Sequence, residues 1–162
     1  MRTAIAAALL VAAASAYAQG GGPPPLRWQR LDARDGTFSV SMPGQAAYKM
    51  QTLTANNGRP VQYATYTVDL AKSAYMVSTS DYDEKTRISL DGATDGVLRS
   101  WKAPLVLSRK QTELYGYPAQ IVDFTSEKYR VTVRAFAVGK RLYQLGFIAT
   151  VDDYAPRSAP VS

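Results

Sequence analysis

The chain is 162 residues long, 46% hydrophobic and 20% charged, with 19 basic against 13 acidic side chains and a formal net charge of +6. It holds no cysteine and no histidine. That excludes disulfides, thiol nucleophiles, Cys-ligated iron–sulfur or zinc centres, imidazole metal sites and every catalytic triad with an imidazole base.

Met1-Arg2-Thr3 opens the chain with one positive side chain, and an uninterrupted small, apolar run follows from Ala4 to Ala14. Ser15-Ala16-Tyr17-Ala18 then places alanines one and three residues before Gln19, the small-residue pattern that signal peptidase accepts. The pattern predicts a cleavable signal peptide over 1–18, cleaved after Ala18, and a periplasmic or secreted mature chain. The apolar run is shorter than the roughly 20 residues a bilayer-spanning helix needs. No later stretch is long or apolar enough either, so the mature chain is expected to carry no transmembrane span. Only Arg2 leaves with the leader, so the mature balance is 18 basic against 13 acidic side chains, or +5.

Residues 19–25 (Gln-Gly-Gly-Gly-Pro-Pro-Pro) are a linker by composition. From Leu26 onward the dominant signal is period two. Leu26 to Leu31 reads as a first short strand. After an Asp35-Gly36 turn, Thr37 to Met42 alternates with Phe38, Val40 and Met42 on the buried face. Strands follow near Tyr48 to Thr54 and Pro60 to Leu70, joined through Asn56-Asn57-Gly58, and then from Ala74 to Ser80. Leu90, Ala93, Val97, Leu98 and Trp101 fall at helical spacing, with Ser89 or Asp91 as N-cap and Pro104 as the stop. Gly92 and Gly96 lower the helix propensity, so packing must hold this segment. Leu105 to Leu114 returns to strand, and Tyr115-Gly116-Tyr117-Pro118 reads as a turn. Ala119 to Ser126, Tyr129 to Val138 and Arg141 to Val151 then form a meander joined at Glu127-Lys128 and Gly139-Lys140. Residues 152–162 read as a polar tail. These elements predict one α+β domain over 26–151. Its antiparallel sheet has about seven to nine strands, with one main amphipathic helix packed on it.

Three stretches resemble a known group of small exported domains. Phe38-Ser39-Val40-Ser41-Met42-Pro43-Gly44 is similar to the opening motif of PsbP-like and DcrB-like domains, and Gly116-Tyr117-Pro118-Ala119 to their mid-chain turn. Arg134-Ala135-Phe136, followed by Gly139-Lys140-Arg141-Leu142-Tyr143-Gln144-Leu145, resembles their late hairpin. The resemblance covers roughly residues 30 to 150 and implies an α/β/α-like sandwich around an antiparallel sheet. It implies no catalytic residues; relatives assemble or stabilise larger complexes, bind a GTPase, or sit in the envelope with no assigned role. The chain departs from the pattern after Val151, where relatives carry a second helix and a short closing strand.

Few residues offer chemistry. Asp81-Tyr82-Asp83-Glu84 is the densest acidic group but lacks the ligand number and turn glycine of a calcium loop. Asp91 and Asp95 stand one helical turn apart and read as charges near a helix N-terminus. Ser108-Arg109-Lys110 and Lys72-Ser73 hold serine beside lysine or arginine on extended segments, where alternation turns neighbours to opposite faces. No catalytic residue, metal ligand or cofactor is expected, and the protein is read as a non-enzyme. The group that stands out is basic and aromatic. Arg130, Thr132, Arg134 and Phe136 share one face of a strand while Val131, Val133 and Ala135 share the other. If the valine face packs on the helix, the arginines point outward beside Tyr129 or Tyr143, with Lys140 and Arg141 at the next turn. Arg130, Arg134, Phe136, Lys140, Arg141 and Tyr143 are the candidate partner-binding strip, for an envelope protein or an anionic envelope component. No nucleic-acid partner is expected. The alternative is a small-ligand or lipid carrier using space between helix and sheet; a carboxylate-based hydrolase comes third.

Overall fold

The computed structural model describes residues 26–154; the expected signal peptide, the Gly/Pro linker and residues 155–162 of the tail lie outside the described residues. Nine strands and one α-helix follow in chain order. They are β1 (Gln29–Asp32), β2 (Ser39–Met42), β3 (Ala47–Thr54), β4 (Pro60–Asp69), β5 (Ser73–Asp81), α1 (Leu90–Arg99), β6 (Leu105–Leu114), β7 (Tyr117–Ser126), β8 (Tyr129–Val138) and β9 (Arg141–Thr150). A 3-10 turn over Val151–Asp153 ends the set. Seven strands form one antiparallel sheet in the order β3-β4-β5-β9-β8-β7-β6, and β1 with β2 forms a separate hairpin.

Directly opposed residues in an antiparallel pair share a face, so the register sorts every side chain. On one face, Val131 and Val133 of β8 lie beside Val122 and Phe124 of β7, and α1 drops Val97 onto them. All five are sealed from solvent at 0% exposure. The valine side of β8 is therefore the helix side. Ser89 caps α1 by accepting the Gly92 N–H at 3.1 Å, and Asp91 and Arg99 complement the helix dipole at its two ends. These terms and the Val97 contact offset the two glycines.

The opposite face carries the β1–β2 hairpin. Leu31, Phe38, Val40 and Met42 pack on Val68, Val77 and Leu145, so the Phe38, Val40, Met42 alternation faces inward as the sequence indicates. Phe38 meets Tyr66 and Tyr143 edge-on at 5.7 and 5.8 Å. The hairpin packs on β4, β5 and β9; among the described residues no strand or helix lies over the same face of β6, β7 and β8, where Tyr154 sits on Arg130. Among the described residues the second layer is this hairpin plus the 3-10 turn, not the second helix implied by the family resemblance.

Several boundaries differ from the sequence reading. β1 begins at Gln29, since Leu26 and Trp28 stay 47% and 41% exposed and only Trp28 finds an aromatic neighbour, Tyr75 at 5.4 Å. Tyr117 and Pro118 belong to β7, because Tyr115 and Gly116 alone close the connection with φ of 54° and 79°. Positive φ at both central residues is the type I′ turn that matches strand twist. Helix α1 stops at Arg99, and Trp101 packs just past its end against the buried cluster. The chain beyond Val151 also keeps contact with the sheet, as Tyr154 lies 5.5 Å from the Phe147 ring.

Candidate functional site

The uncovered part of the sheet is bounded by the β1–β2 hairpin on one side and by the free edge of β6 on the other. Its floor can be read from the register. One row runs Lys110, Ile121, Arg134 and Leu145; the next runs Thr112, Ala119, Phe136 and Tyr143. Tyr154 closes one end by accepting the Arg130 guanidinium over its ring at 4.2 Å and sharing a hydrogen bond with Thr132. Tyr115 closes the other, tilted 5.6 Å from Phe136.

The six residues of the predicted strip separate into distinct roles. Arg130, Arg134, Phe136, Arg141 and Tyr143 do lie on one face of β8 and β9, the face away from α1. Arg130 is committed: Nε and Nη2 donate to both oxygens of Asp123 at 3.1 and 2.6 Å. Those hydrogen bonds raise its pKa above the ordinary arginine value, against an opposing desolvation. Arg141 is more deeply held, at 19% side-chain exposure, donating to both oxygens of Asp81 at 2.6 and 2.8 Å. It also donates to Asp35 at 2.7 Å and Thr37 at 2.5 Å in the loop between β1 and β2. The hydrogen bond to Asp81 is the largest cause of its strongly raised pKa. Arg141 fastens the hairpin to the sheet.

Phe136 is buried at 8% exposure and stacks on Tyr143 at 5.0 Å with an 8° interplanar angle. Lys140 leaves the strip altogether: its Nζ donates to the Thr86 carbonyl at 3.1 Å, in the loop leading to α1. Tyr129, considered beside the arginines, lies on the other face near Trp101. Glu127 pairs with Lys102 at 3.2 Å, whereas Asp123 is engaged on the arginine face by Arg130.

Arg134 is the exception. It is half-buried at the centre of the open floor, and among the described residues it makes no ion pair or side-chain hydrogen bond. Lys110 of β6 is exposed on the same row, two strands away. At the usual strand spacing their Cα atoms are about 10 Å apart, with Ile121 between them. Lys110 was missed in the sequence because β6 carries its charges as Arg109-Lys110, and nothing local says which of the two shares a face with Arg134. Arg109 takes the other side, donating to Thr94 at 2.8 Å and to Asp95 at 2.5 Å.

The acidic groups do not converge. Asp81 faces Arg141, Asp83 is paired with Arg59 and accepts from Thr86, Asp91 accepts from Gln120 at 2.7 Å, and Asp95 is taken by Arg109. Between the sheet and the segment leading into α1 lies a cavity of about 20 Å³, lined by Ser80, Tyr82, Thr86 and Gln144 among others. That is room for a single water, not for an acyl chain. A shallow cleft of about 220 Å³ lies between the start of α1 and β6–β7, lined by Leu90, Asp91, Gln111 and Pro118 among others. Among the described residues no helix is long and apolar enough to cross a membrane.

Neither a protein-family model nor a curated protein matches the chain. Among solved structures, a Pseudomonas aeruginosa protein of unknown function is similar with a TM-score of 0.41 and 8% sequence identity, across 78% of this chain and 85% of that one.

Proposed function

We propose that the mature chain is an exported, non-catalytic domain that docks an envelope component carrying anionic groups, through the open sheet face over β6, β7 and β8. The observation that carries this reading is Arg134, half-buried at the centre of that face and without an ion pair or side-chain hydrogen bond among the described residues. A guanidinium in such a position has lost part of its hydration without a protein partner to replace it. A carboxylate or phosphate arriving there supplies the missing acceptor in bidentate form. Lys110 adds a second cation on the same row, and Ile121, with Tyr143 and Tyr115 packed on buried Phe136, supplies the apolar and aromatic surface on which an anchored contact packs. The mature net charge of +5 favours encounter with such a partner. The leader-like first eighteen residues support the compartment, and the resemblance to small exported binding and assembly factors supports the kind of task.

The test is affinity purification from solubilised envelope with the mature chain as bait, comparing wild type with Arg134→Glu and Lys110→Glu. Both variants are expected to keep the wild-type melting temperature and lose the specific partner. A partner list unchanged by the double variant overturns the site. N-terminal sequencing of the chain recovered from the envelope fraction checks export; a start at Gln19 is expected, and a start at Met1 contradicts it.

A further inference from the structure

Among the described residues strand β6, ten residues long, ends the sheet with an unpaired edge. We propose that this edge pairs with β6 of a second copy, antiparallel about a two-fold axis at Gln111, to make a dimer with one continuous fourteen-stranded sheet, twice the seven strands of one chain. The proposal is independent of what the open face binds.

Four observations fix it. The type I′ turn at Tyr115-Gly116 makes Leu114 and Tyr117 a hydrogen-bonded pair, so the bonds from β6 to β7 fall on every second residue from there. Arg109, Gln111 and Glu113 therefore turn their backbone N–H and C=O groups to the free edge. The pairing with β7 is regular only from Ser108 to Leu114, because a bulge interrupts it between Val106 and Ser108. Gln111 is the midpoint of that regular stretch.

Charge selects the same centre. A two-fold at Gln111 places Arg109 opposite the partner's Glu113, twice, and Lys110 opposite the partner's Thr112. Moving the axis to Arg109 or Lys110 sets like charges directly against each other, and moving it to Thr112 leaves Glu113 without a basic residue opposite. Arginine and lysine on an edge strand ordinarily guard it against pairing. Here Arg109, paired with Asp95 in its own chain, gains a second carboxylate from another copy of the same strand. The opposite edge, β3, has Lys49 as its single charged residue and no acid to answer it.

Exposed apolar surface agrees. Leu105, Val106, Leu107, Tyr115 and Tyr117 are five of the nine large hydrophobic residues exposed among those described, and all lie at the two ends of β6. Antiparallel pairing brings the aliphatic end of one copy against the tyrosine end of the other, with Leu107 across from the partner's Tyr115. The axis stands perpendicular to the sheet, so both open faces lie on the same side. The row Lys110, Ile121, Arg134 then continues into the Thr112, Ala119, Phe136 row of the second copy.

Analytical ultracentrifugation of the mature chain across a concentration series is expected to show a monomer–dimer equilibrium. Gln111→Pro removes an N–H that faces outward, so it leaves the β7 pairing intact, and is expected to weaken dimerisation about tenfold or more with an unchanged far-UV spectrum. Because the chain has no cysteine, Gln111→Cys gives a single reporter. A short bis-maleimide should join two copies through it, and should not join copies of a Thr52→Cys variant on the β3 edge. A one-chain mass at every concentration overturns the proposal, as does a dimer that links equally through position 52.

Discussion

Two arginines on the same face of neighbouring strands show how little a residue's type says about its work. Arg141 holds Asp81 and Asp35 together and is 19% exposed, while Arg134 has no partner among the described residues. Glutamate in place of Arg141 puts a third carboxylate beside two others and frees the β1–β2 loop. Its hydrogen bonds to charged groups are partly screened, because Asp81 and Asp35 are 42% and 45% exposed. Arg141→Glu should therefore cost about 1–2 kcal/mol, read as a lowered urea midpoint. Arg134→Glu should leave that midpoint in place. Equal losses for the two would mean that Arg134 is structural and not held for a partner.

At the scale of elements, α1 depends on a cap and on one packed stripe. Ser89→Ala should destabilise by about 1 kcal/mol, and Phe124→Ala, under the same helix, by about 3–5 kcal/mol. Chemical denaturation separates them, and a Ser89 effect as large as that of Phe124 would contradict the assignment of α1 stability to packing. The helix and the strand alternation were readable in advance because each rests on local spacing: Leu90 to Leu98 for α1, Val131 and Val133 for the inner side of β8. Both meander turns, at Glu127-Lys128 and Gly139-Lys140, were legible for the same reason. What local spacing cannot carry is the partner of a charge. Asp81 lies sixty residues from Arg141 and Asp35 more than a hundred, brought in by the β5–β9 pairing and the hairpin above it. So a strip that reads as basic and aromatic resolves into two arginines closed in ion pairs, one lysine turned to the α1 loop, one open guanidinium and a stacked Phe136–Tyr143 pair. Lys110 joins the site only because β6 and β8 flank β7, and that order is a property of the whole sheet.

The whole molecule should be stable across a broad pH range and fail at both ends for separate reasons. Asp83 is held below its ordinary 3.8 by its hydrogen bond from Thr86, and then by Arg59. Asp35 is also held below 3.8, although burial pulls it upward, because hydrogen bonds from Thr37 and Arg141 outweigh that. A depressed carboxylate stabilises the fold above its unfolded value, and the contribution fades as pH falls through the lower folded value. Melting temperature should accordingly be flat above pH 4 or so and drop in stronger acid. At the other end, burial raises the Tyr82 hydroxyl from 10.0 to about 12, partly offset by Ser80. The folded state keeps that proton when the unfolded state has lost it, so stability is intact below pH 10 and declines between 10 and about 12. Tyr82→Phe should reduce the alkaline decline, measured by thermal melts at matched ionic strength, with the Tyr63 hydroxyl, also raised by burial, contributing to what remains. An unchanged alkaline limb would place its cause elsewhere.

We place another envelope component on the open face over β6, β7 and β8. A photo-activatable phenylalanine analogue at Thr112, exposed on that face, tests this placement directly in intact cells, with the same analogue at Lys49 on β3 as the control. Apart from any adduct with a second copy of the chain, irradiation should give one discrete adduct with another component from position 112, absent from position 49 and lost when Arg134→Glu is added. Adducts with other components in equal yield from both positions, or one from position 112 that persists with Arg134→Glu, would contradict it.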